Sequence, residues 1–173
     1  MKVVALLAGC ILTVTCVLYI VSNAVPSWAQ ISGIGSYHSY GLWRECLPGP
    51  NVIICGPLRC PGGIYGPDFC GRIFAGRAFM TLACILSGIT TISLFICAFT
   101  DVGKNRILLL ITKASAFVCL IMGIIGVGVG GSIIQILSEG SVKFSLGAAS
   151  TLGIIAIIIN LVGAIVSLFI KQS

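Results

Sequence analysis

The chain has 173 residues, of which 58% are apolar and only 8% are charged, and its mean hydropathy is +1.17. Soluble domains carry about a quarter of their residues as charged side chains, so this composition excludes a water-soluble domain and indicates an integral membrane protein. The net charge of +6 does not indicate a nucleic-acid partner, because the ten Lys and Arg are scattered singly between apolar runs.

Four apolar runs are each long enough to cross the bilayer, which takes about 20 residues. Because backbone polar groups in lipid must be satisfied within a segment, we predict that these runs are helices. Their continuous apolarity lacks the alternation of a β-barrel. Only Lys113 interrupts a run, near its start. The fold class is therefore an all-α membrane protein, a single four-helix domain over residues 1–173 with predicted spans at 3–25, 78–99, 107–130 and 146–170.

The first run also begins as a cleaved signal peptide or a bacterial lipoprotein would begin. Met1-Lys2 precedes the apolar residues, and Leu7-Ala8-Gly9-Cys10 resembles a lipobox. However, the apolar run continues for about 23 residues, against the 7–15 of a signal-peptide core, and it does not become polar after Cys10. We therefore expect the first run to remain as a span.

Four spans place both termini on one side of the membrane, with loops at 26–76 and 131–145 and a turn at 101–106. The number of basic residues does not decide the orientation, because five flank each face. Their density favours a cytoplasmic turn, because Lys104 and Arg106 share a short segment. The first loop also holds four of the nine cysteines, which indicates an oxidising exterior. We predict cytoplasmic termini and extracellular loops.

The first loop divides into two parts. Residues 31–46 alternate loosely and predict one or two β-strands. Residues 48–71 are crowded with Pro and Gly and predict turns between short strands, such as 51–54. A loop of this size cannot bury a core sufficient to hold it together, so we expect disulfides to do so.

The cysteines of this loop, Cys46, Cys55, Cys60 and Cys70, allow three disulfide connectivities. We favour Cys46–Cys55 with Cys60–Cys70, which closes two short loops in sequence. A zinc site that includes His38 is the alternative, but structural zinc usually shows close C-x2-4-C pairs and the loop has none. We expect no metal and no other cofactor.

Catalytic groups are scarce. The chain has one histidine and four carboxylates, and each carboxylate lies between the predicted spans. General acid–base catalysis needs paired titratable groups in a pocket, and proton-coupled transport needs ionisable groups within the membrane. No P-loop or dinucleotide fingerprint occurs. The sequence therefore indicates neither an enzyme nor an independent transporter.

Small residues recur at helical spacing within the spans, most clearly in Gly126-x3-Gly130. Such spacing lets helix backbones approach closely, which favours packing within the four-helix bundle; association between subunits is the alternative. Asn160 stands alone in the fourth span, and we expect it to make an interhelical hydrogen bond rather than an ion site.

Several residues carry a resemblance to a known superfamily. Trp28 is followed by Gly41-Leu42-Trp43-x2-Cys46, a second cysteine at Cys55 and Arg77 at the start of the next span. This order resembles the W-GLW-C-C pattern of the claudin, peripheral myelin protein and epithelial membrane protein superfamily, and Gly-Leu-Trp-Arg-x-Cys also looks like its lens fibre branch. The resemblance covers essentially the whole chain.

The resemblance implies a small antiparallel sheet in the first loop, joined by residues 143–149 of the second loop. It also implies one disulfide, so Cys60 and Cys70 are additional and a Cys46–Cys60 pairing stays open. Physical roles fit the motif: Trp43 and Trp28 suit the headgroup level, where they can seat the sheet on the bundle.

Within the same motif, Gly41 suits a close turn and Leu42 an apolar lip. Arg77, at the outer end of its helix, can donate hydrogen bonds to loop carbonyls.

The expected function is that of a claudin-like structural protein of cell–cell contacts, forming an adhesion or a paracellular barrier. Its expected partners are the lipid bilayer, further copies in the same membrane and a like protein on the adjacent cell. If the loops line a paracellular path, five basic against three acidic residues predict a barrier or a mild anion preference. The candidate selectivity residues are Arg59, Asp68 and Arg72. The alternative is an auxiliary subunit of an ion channel or receptor, as in the stargazin-like branch.

Overall fold

The computed structural model describes residues 2–33, 36–49, 52–60, 66–100, 106–137 and 144–170. Within this part of the chain, four helices are long and apolar enough to cross a membrane. The predicted architecture, a four-helix membrane bundle that carries a small disulfide-linked sheet, is therefore found. In chain order the elements are α1 (Lys2–Ala24), β1 (Ala29–Gly33), β2 (Ser36–Tyr40), β3 (Arg44–Pro48), β4 (Ile53–Pro57), α2 (Pro67–Phe99), α3 (Arg106–Gly131), α4 (Ile133–Leu137), β5 (Ser145–Leu146) and α5 (Ala148–Leu168).

The helices pack around a shared core. Helix α1 contacts α2 and α5, and α3 contacts the same two helices. The sheet follows the last residue of α1 and precedes the first residue of α5, so it covers one end of the bundle. We call this the sheet end; the opposite end holds the start of α1 and the end of α2.

The sheet has five antiparallel strands in the order β4-β3-β2-β1-β5. Strand β5 comes from the second loop and pairs Leu146 with Ala29 of β1. The expectation that the second loop joins the sheet is thus confirmed for Ser145–Leu146, whereas Lys143 lies outside the described residues. Three strands lie between residues 29 and 48 rather than the predicted one or two, and β4 begins at Ile53 rather than at residue 51.

Helix α2 begins at Pro67, eleven residues before the predicted start of the second span at residue 78. The prediction of turns is therefore wrong for residues 67–71, which are helical. Proline suits the first helical position, where its missing N–H needs no partner, and Asp68 complements the helix dipole in the first turn. Phe69 and Ile73 then become buried against the sheet end. The first turns of α2 thus pack with the sheet.

Two other boundaries differ from the predicted ones. The third span continues past residue 130, through α3 and α4 to Leu137, which shortens the second loop. Helix α5 begins at Ala148 rather than at residue 146, because Ser145 and Leu146 pair with β1 instead. The predicted turn at 101–106 falls outside the described residues, except that α3 begins at Arg106.

Candidate functional site

The two disulfides of the sheet end join the cysteines in the favoured connectivity. Cys46 and Cys55 lie directly opposite each other on β3 and β4 and are bonded. Cys60 is bonded to Cys70 and so ties the segment after β4 to the start of α2. The alternative Cys46–Cys60 pair is not formed. Because all four sulfurs are used in disulfides, none is a thiolate that could bind zinc.

Gly41 closes the turn between β2 and β3. Its N–H donates to the Arg44 carbonyl at 2.8 Å. A Cβ atom at Gly41 would lie 2.5 Å from Cα of Pro26, so a larger residue cannot fit without moving the backbone. The predicted close turn is confirmed. Leu42 is fully buried, so it does not form the predicted apolar lip. Its side chain packs beside Gly76 of α2.

Arg77 binds this turn from α2. Its Nε donates to the Leu42 carbonyl at 2.6 Å and its Nη2 to the Leu58 carbonyl at 3.5 Å. Its guanidinium carbon also lies 4.9 Å from the centroid of the Trp43 ring, within range of a cation–π contact. The prediction that Arg77 donates to loop carbonyls is therefore confirmed.

Trp43 connects the turn to α1. Its ring is 46% exposed, and its indole N–H donates to Oδ1 of Asn23 at 2.9 Å. The Asn23 amide nitrogen in turn donates to Oγ1 of Thr81 on α2 at 3.4 Å. A half-exposed ring with its polar edge bound to protein is compatible with a position at headgroup level, which stays a prediction.

Trp28 is placed differently from the expectation. Its side chain is only 2% exposed, and its indole N–H donates to the Ser22 carbonyl at 2.8 Å. The ring occupies the space beside Gly130 of α3, where a Cβ atom would collide with it. Trp28 therefore does seat the sheet on the bundle, but as a core residue. The ring is enclosed by protein, and its depth at headgroup level stays a prediction.

The backbone at Trp28 joins three elements. Its N–H donates to the Tyr40 carbonyl of β2 at 2.7 Å. Its carbonyl accepts from the Gly147 N–H at 2.9 Å and from Oγ of Ser150 at 3.1 Å. The Ala149 N–H donates to the Ser27 carbonyl at 3.0 Å, so this segment satisfies two N–H groups at the start of α5, those of Gly147 and Ala149.

The candidate selectivity residues are not equivalent. Arg59 and Asp68 are exposed, and the Cys60–Cys70 bond brings together the segments that carry them. Arg72 is half-buried, and its Nη1 donates to the Ser132 carbonyl at 3.3 Å. Arg72 therefore contributes to the contact between α2 and the end of α3, and Arg59 is the better candidate for a charge facing solvent.

Sequence reasoning missed a group of exposed apolar residues on the β3–β4 hairpin. We call them the apolar strip: Leu47, Val52, Ile53 and Ile54, whose exposed fractions are 38%, 70%, 54% and 60%. Leu47 and Ile54 are directly paired across the strands. The run Val52-Ile53-Ile54 within a Pro/Gly-rich segment was the available signal. Exposed apolar groups outside the spans commonly mark contact surfaces.

The predicted packing glycines lie inside the protein. Gly126 faces Met80 of α2, and Gly130 faces Trp28. Both glycines therefore pack within the bundle, as their spacing predicted. They are not available for contact with a second subunit.

Asn160 lies deep in the bundle and makes the expected interhelical hydrogen bonds. Its Nδ2 donates to Oη of Tyr19 at 3.3 Å and to Sγ of Cys119 at 3.4 Å. Three helices are therefore joined at one buried residue. This arrangement can fix the register of the helices, which is a structural role.

Among the described residues, no group of three His, Cys, Asp or Glu side chains is placed to hold a metal ion. Comparisons with known proteins add no assignment: no protein-family model matches the chain, and no curated protein is significantly similar to it.

Proposed function

We propose that this chain is a structural membrane protein of cell–cell contacts. It associates with further copies in its own membrane and meets a like protein on the adjacent cell through the stapled sheet. The single observation that carries the proposal is the apolar strip, displayed on a hairpin that Cys46–Cys55 bridges internally and that Cys60–Cys70 and Arg77 hold against α2. The resemblance to the claudin superfamily supports the same function.

The physical argument concerns the cost of ordering a binding surface. A flexible loop loses side-chain and backbone freedom when it binds, and this loss weakens association. Here Cys46–Cys55 bridges the two strands that carry the strip, and Leu58 after β4 donates to the Trp43 carbonyl at 3.0 Å. The strip is therefore already ordered before a partner arrives, which favours a contact role.

The proposed orientation places the sheet end outside the cell and both termini in the cytoplasm. Disulfides persist in the oxidising exterior, and both of them lie at the sheet end.

The test is expression in non-adherent cells, followed by imaging of the labelled protein. We expect enrichment where two expressing cells touch and no enrichment where an expressing cell touches a non-expressing one. Ile54→Lys, in the apolar strip, is expected to reduce the enrichment several-fold. Leu146→Lys is the matched control, because Leu146 is 53% exposed against 60% for Ile54 but lies on the opposite edge strand of the sheet. A diffuse distribution with an ion channel or receptor co-purifying would favour the auxiliary-subunit function instead.

A second measurement addresses ion selectivity. In an epithelial layer that expresses the protein, Arg59→Glu is expected to lower the permeability of chloride relative to sodium, because the exposed charge at that position is reversed. Asp68→Asn is the companion variant and is expected to act in the opposite direction. Selectivity that is unchanged in Arg59→Glu, in Asp68→Asn and in the double variant Arg59→Glu/Arg72→Glu would contradict a paracellular path lined by this loop.

A further inference from the structure

A crevice opens at the side of the sheet end, between the last turn of α1 and α2. Its volume is about 520 Å³, and it is lined by Ile20, Asn23, Ala24, Trp43, Arg44 and Cys84. The turn between β2 and β3 covers it from above. Its walls therefore combine aliphatic, aromatic, amide and cationic groups in one place.

The crevice crosses the boundary between hydrocarbon and headgroups. Helix α1 ends at Ala24, and Ile20 lies one turn earlier, which is about 6 Å deeper along the axis. Ile20 is 51% exposed on the outer surface of the bundle, where lipid chains lie. Arg44 is at the first position of β3 and belongs to the ectodomain. The site is thus apolar at its deep end and cationic at its shallow end.

Arg44 is the group that a ligand would meet. Asn23 already accepts from the Trp43 indole N–H and donates to Thr81, so its amide is used within the protein. Arg77 is bound to the Leu42 and Leu58 carbonyls. The Arg44 side chain is exposed, and within the described part of the chain no acceptor is bound to its guanidinium. It is therefore free to bind an anion.

We propose that this crevice binds one membrane glycerophospholipid. The lipid phosphate accepts hydrogen bonds from the Arg44 guanidinium, whose planar fork of N–H donors favours bidentate contacts with phosphate. One acyl chain lies along Ile20 and Cys84 between α1 and α2. Trp43 is fixed by Asn23 on its edge and by Arg77 on its face, so the wall is ordered before the lipid arrives. The occupant is an amphiphile, because a free anion would not contact the apolar deep end of the crevice and an uncharged lipid would not bind the cationic shallow end.

The experiment is native mass spectrometry of the full-length chain in detergent, titrated with dioleoylphosphatidylglycerol. Its matched ligands are dioleoylglycerol, which has the same chains without the phosphate, and glycerol 3-phosphate, which has the phosphate without chains. We expect one tightly bound phosphatidylglycerol, with each matched ligand at least about tenfold weaker, because dioleoylglycerol lacks the charge-assisted hydrogen bonds and glycerol 3-phosphate lacks the acyl chains.

The variants separate a specific site from general attraction. Arg44→Gln is expected to weaken phosphatidylglycerol binding about tenfold and to leave dioleoylglycerol unaffected, whereas Arg44→Lys retains part of the affinity. Arg59→Gln is the matched control, because Arg59 is also an exposed arginine of the first loop but does not line the crevice. Ile20→Trp fills the deep end and is expected to lower affinity with Arg44 intact. Thermal unfolding of each variant checks that it is folded.

Several results would overturn the proposal. Equal effects of Arg44→Gln and Arg59→Gln would show non-specific charge attraction, and equal binding of dioleoylglycerol would show that the phosphate is not recognised. Equal binding of glycerol 3-phosphate would identify a free-anion site. Displacement of phosphatidylglycerol by cholesterol at equal concentration would identify a sterol site.

Discussion

At the sheet end the buried core contains the largest side chains, among them Trp28, Tyr19 and Met80, whereas at the opposite end five of the nine described core residues are alanines and the other four are Leu or Ile. The large side chains of the sheet end are accompanied by directional contacts. Trp28, for example, is held through its ring, its indole N–H and both backbone polar groups. The alanines make no such contacts and only allow helix backbones to approach.

The difference indicates what each half of the molecule does. Close packing of small residues stabilises helix pairs in lipid, where the hydrophobic effect does not drive association. Directional hydrogen bonds and disulfides instead fix the position of a sheet relative to the helices. The sheet end therefore combines helix packing, for example at Asn160, with a surface held in place, whereas small residues contribute a larger share of the core at the opposite end.

The largest expected effect is at Trp28. Trp28→Ala removes the ring from its place beside Gly130 and leaves a cavity, which should lower the free energy of unfolding by about 3–5 kcal/mol. Trp28→Phe keeps an aromatic ring but loses the hydrogen bond to the Ser22 carbonyl, and it should cost less. Unfolding by SDS titration, followed by labelling of the buried thiol of Cys119, measures both. Equal stability of Trp28→Ala and wild type would contradict the buried position of the ring.

The Cys60–Cys70 disulfide should have the next largest effect. The double variant Cys60→Ala/Cys70→Ala frees the segment after β4 from α2, and removing a native disulfide from a small domain costs about 2–5 kcal/mol. Proteolysis of the first loop should accelerate, while thiol labelling of Cys119 should change little. An equal loss of protection at Cys119 would show that the sheet end and the helices unfold as one unit.

The opposite end can be tested by overpacking. Ala8 is fully buried, and Ala8→Leu should destabilise the bundle by about 1–3 kcal/mol because the surrounding helices must move apart. Leu7→Ala is the control, since Leu7 is 54% exposed and its truncation leaves no internal cavity. SDS titration compares the two. If Ala8→Leu left the stability unchanged and Leu7→Ala lowered it, the face of α1 that packs against the bundle would be the one that carries Leu7, which contradicts the structure.

The smallest expected effect is at Lys113. Its Nζ donates to the carbonyl of Ile170 at 2.9 Å and to that of Leu168 at 3.3 Å, so it satisfies acceptors at the end of α5. Lys113→Met should cost about 0.3–1 kcal/mol, the usual size of a helix-dipole contact, and Lys113→Arg should cost less because it keeps the charge and the donors. The same titration checks this. If Lys113→Met raised the stability, the desolvation cost of the Lys113 ammonium would exceed the free energy that its hydrogen bonds contribute.

Sequence reasoning succeeded where the signal was local. The four apolar runs predicted the helices, because length and uniform apolarity are sufficient for that inference. The disulfide pairing followed from short sequence separations. The donation of Arg77 to loop carbonyls was predicted correctly, but the predicted position of Arg77 at the outer end of its helix is wrong, because α2 begins ten residues earlier, at Pro67.

The failures occurred where tertiary contacts decide. Pro67 and Gly71 suggested turns, but burial of Phe69 and Ile73 against the sheet end makes the segment helical. Trp28 was expected at headgroup level, seating the sheet on the bundle, but no sequence pattern reveals that Gly130 leaves space for its ring inside the protein.

The most direct test of the claim that the sheet is fixed to the bundle is hydrogen–deuterium exchange of three amides within the sheet end, compared with and without the Arg77 contact from α2. Those of Trp28, Gly41 and Leu58 donate to carbonyls of Tyr40, Arg44 and Trp43 respectively. We predict that all three exchange slowly and lose protection together in Arg77→Met, which removes the donor to the Leu42 carbonyl. Exchange of these amides at the rate of an unstructured peptide, while the helices remain protected, would contradict a fixed sheet.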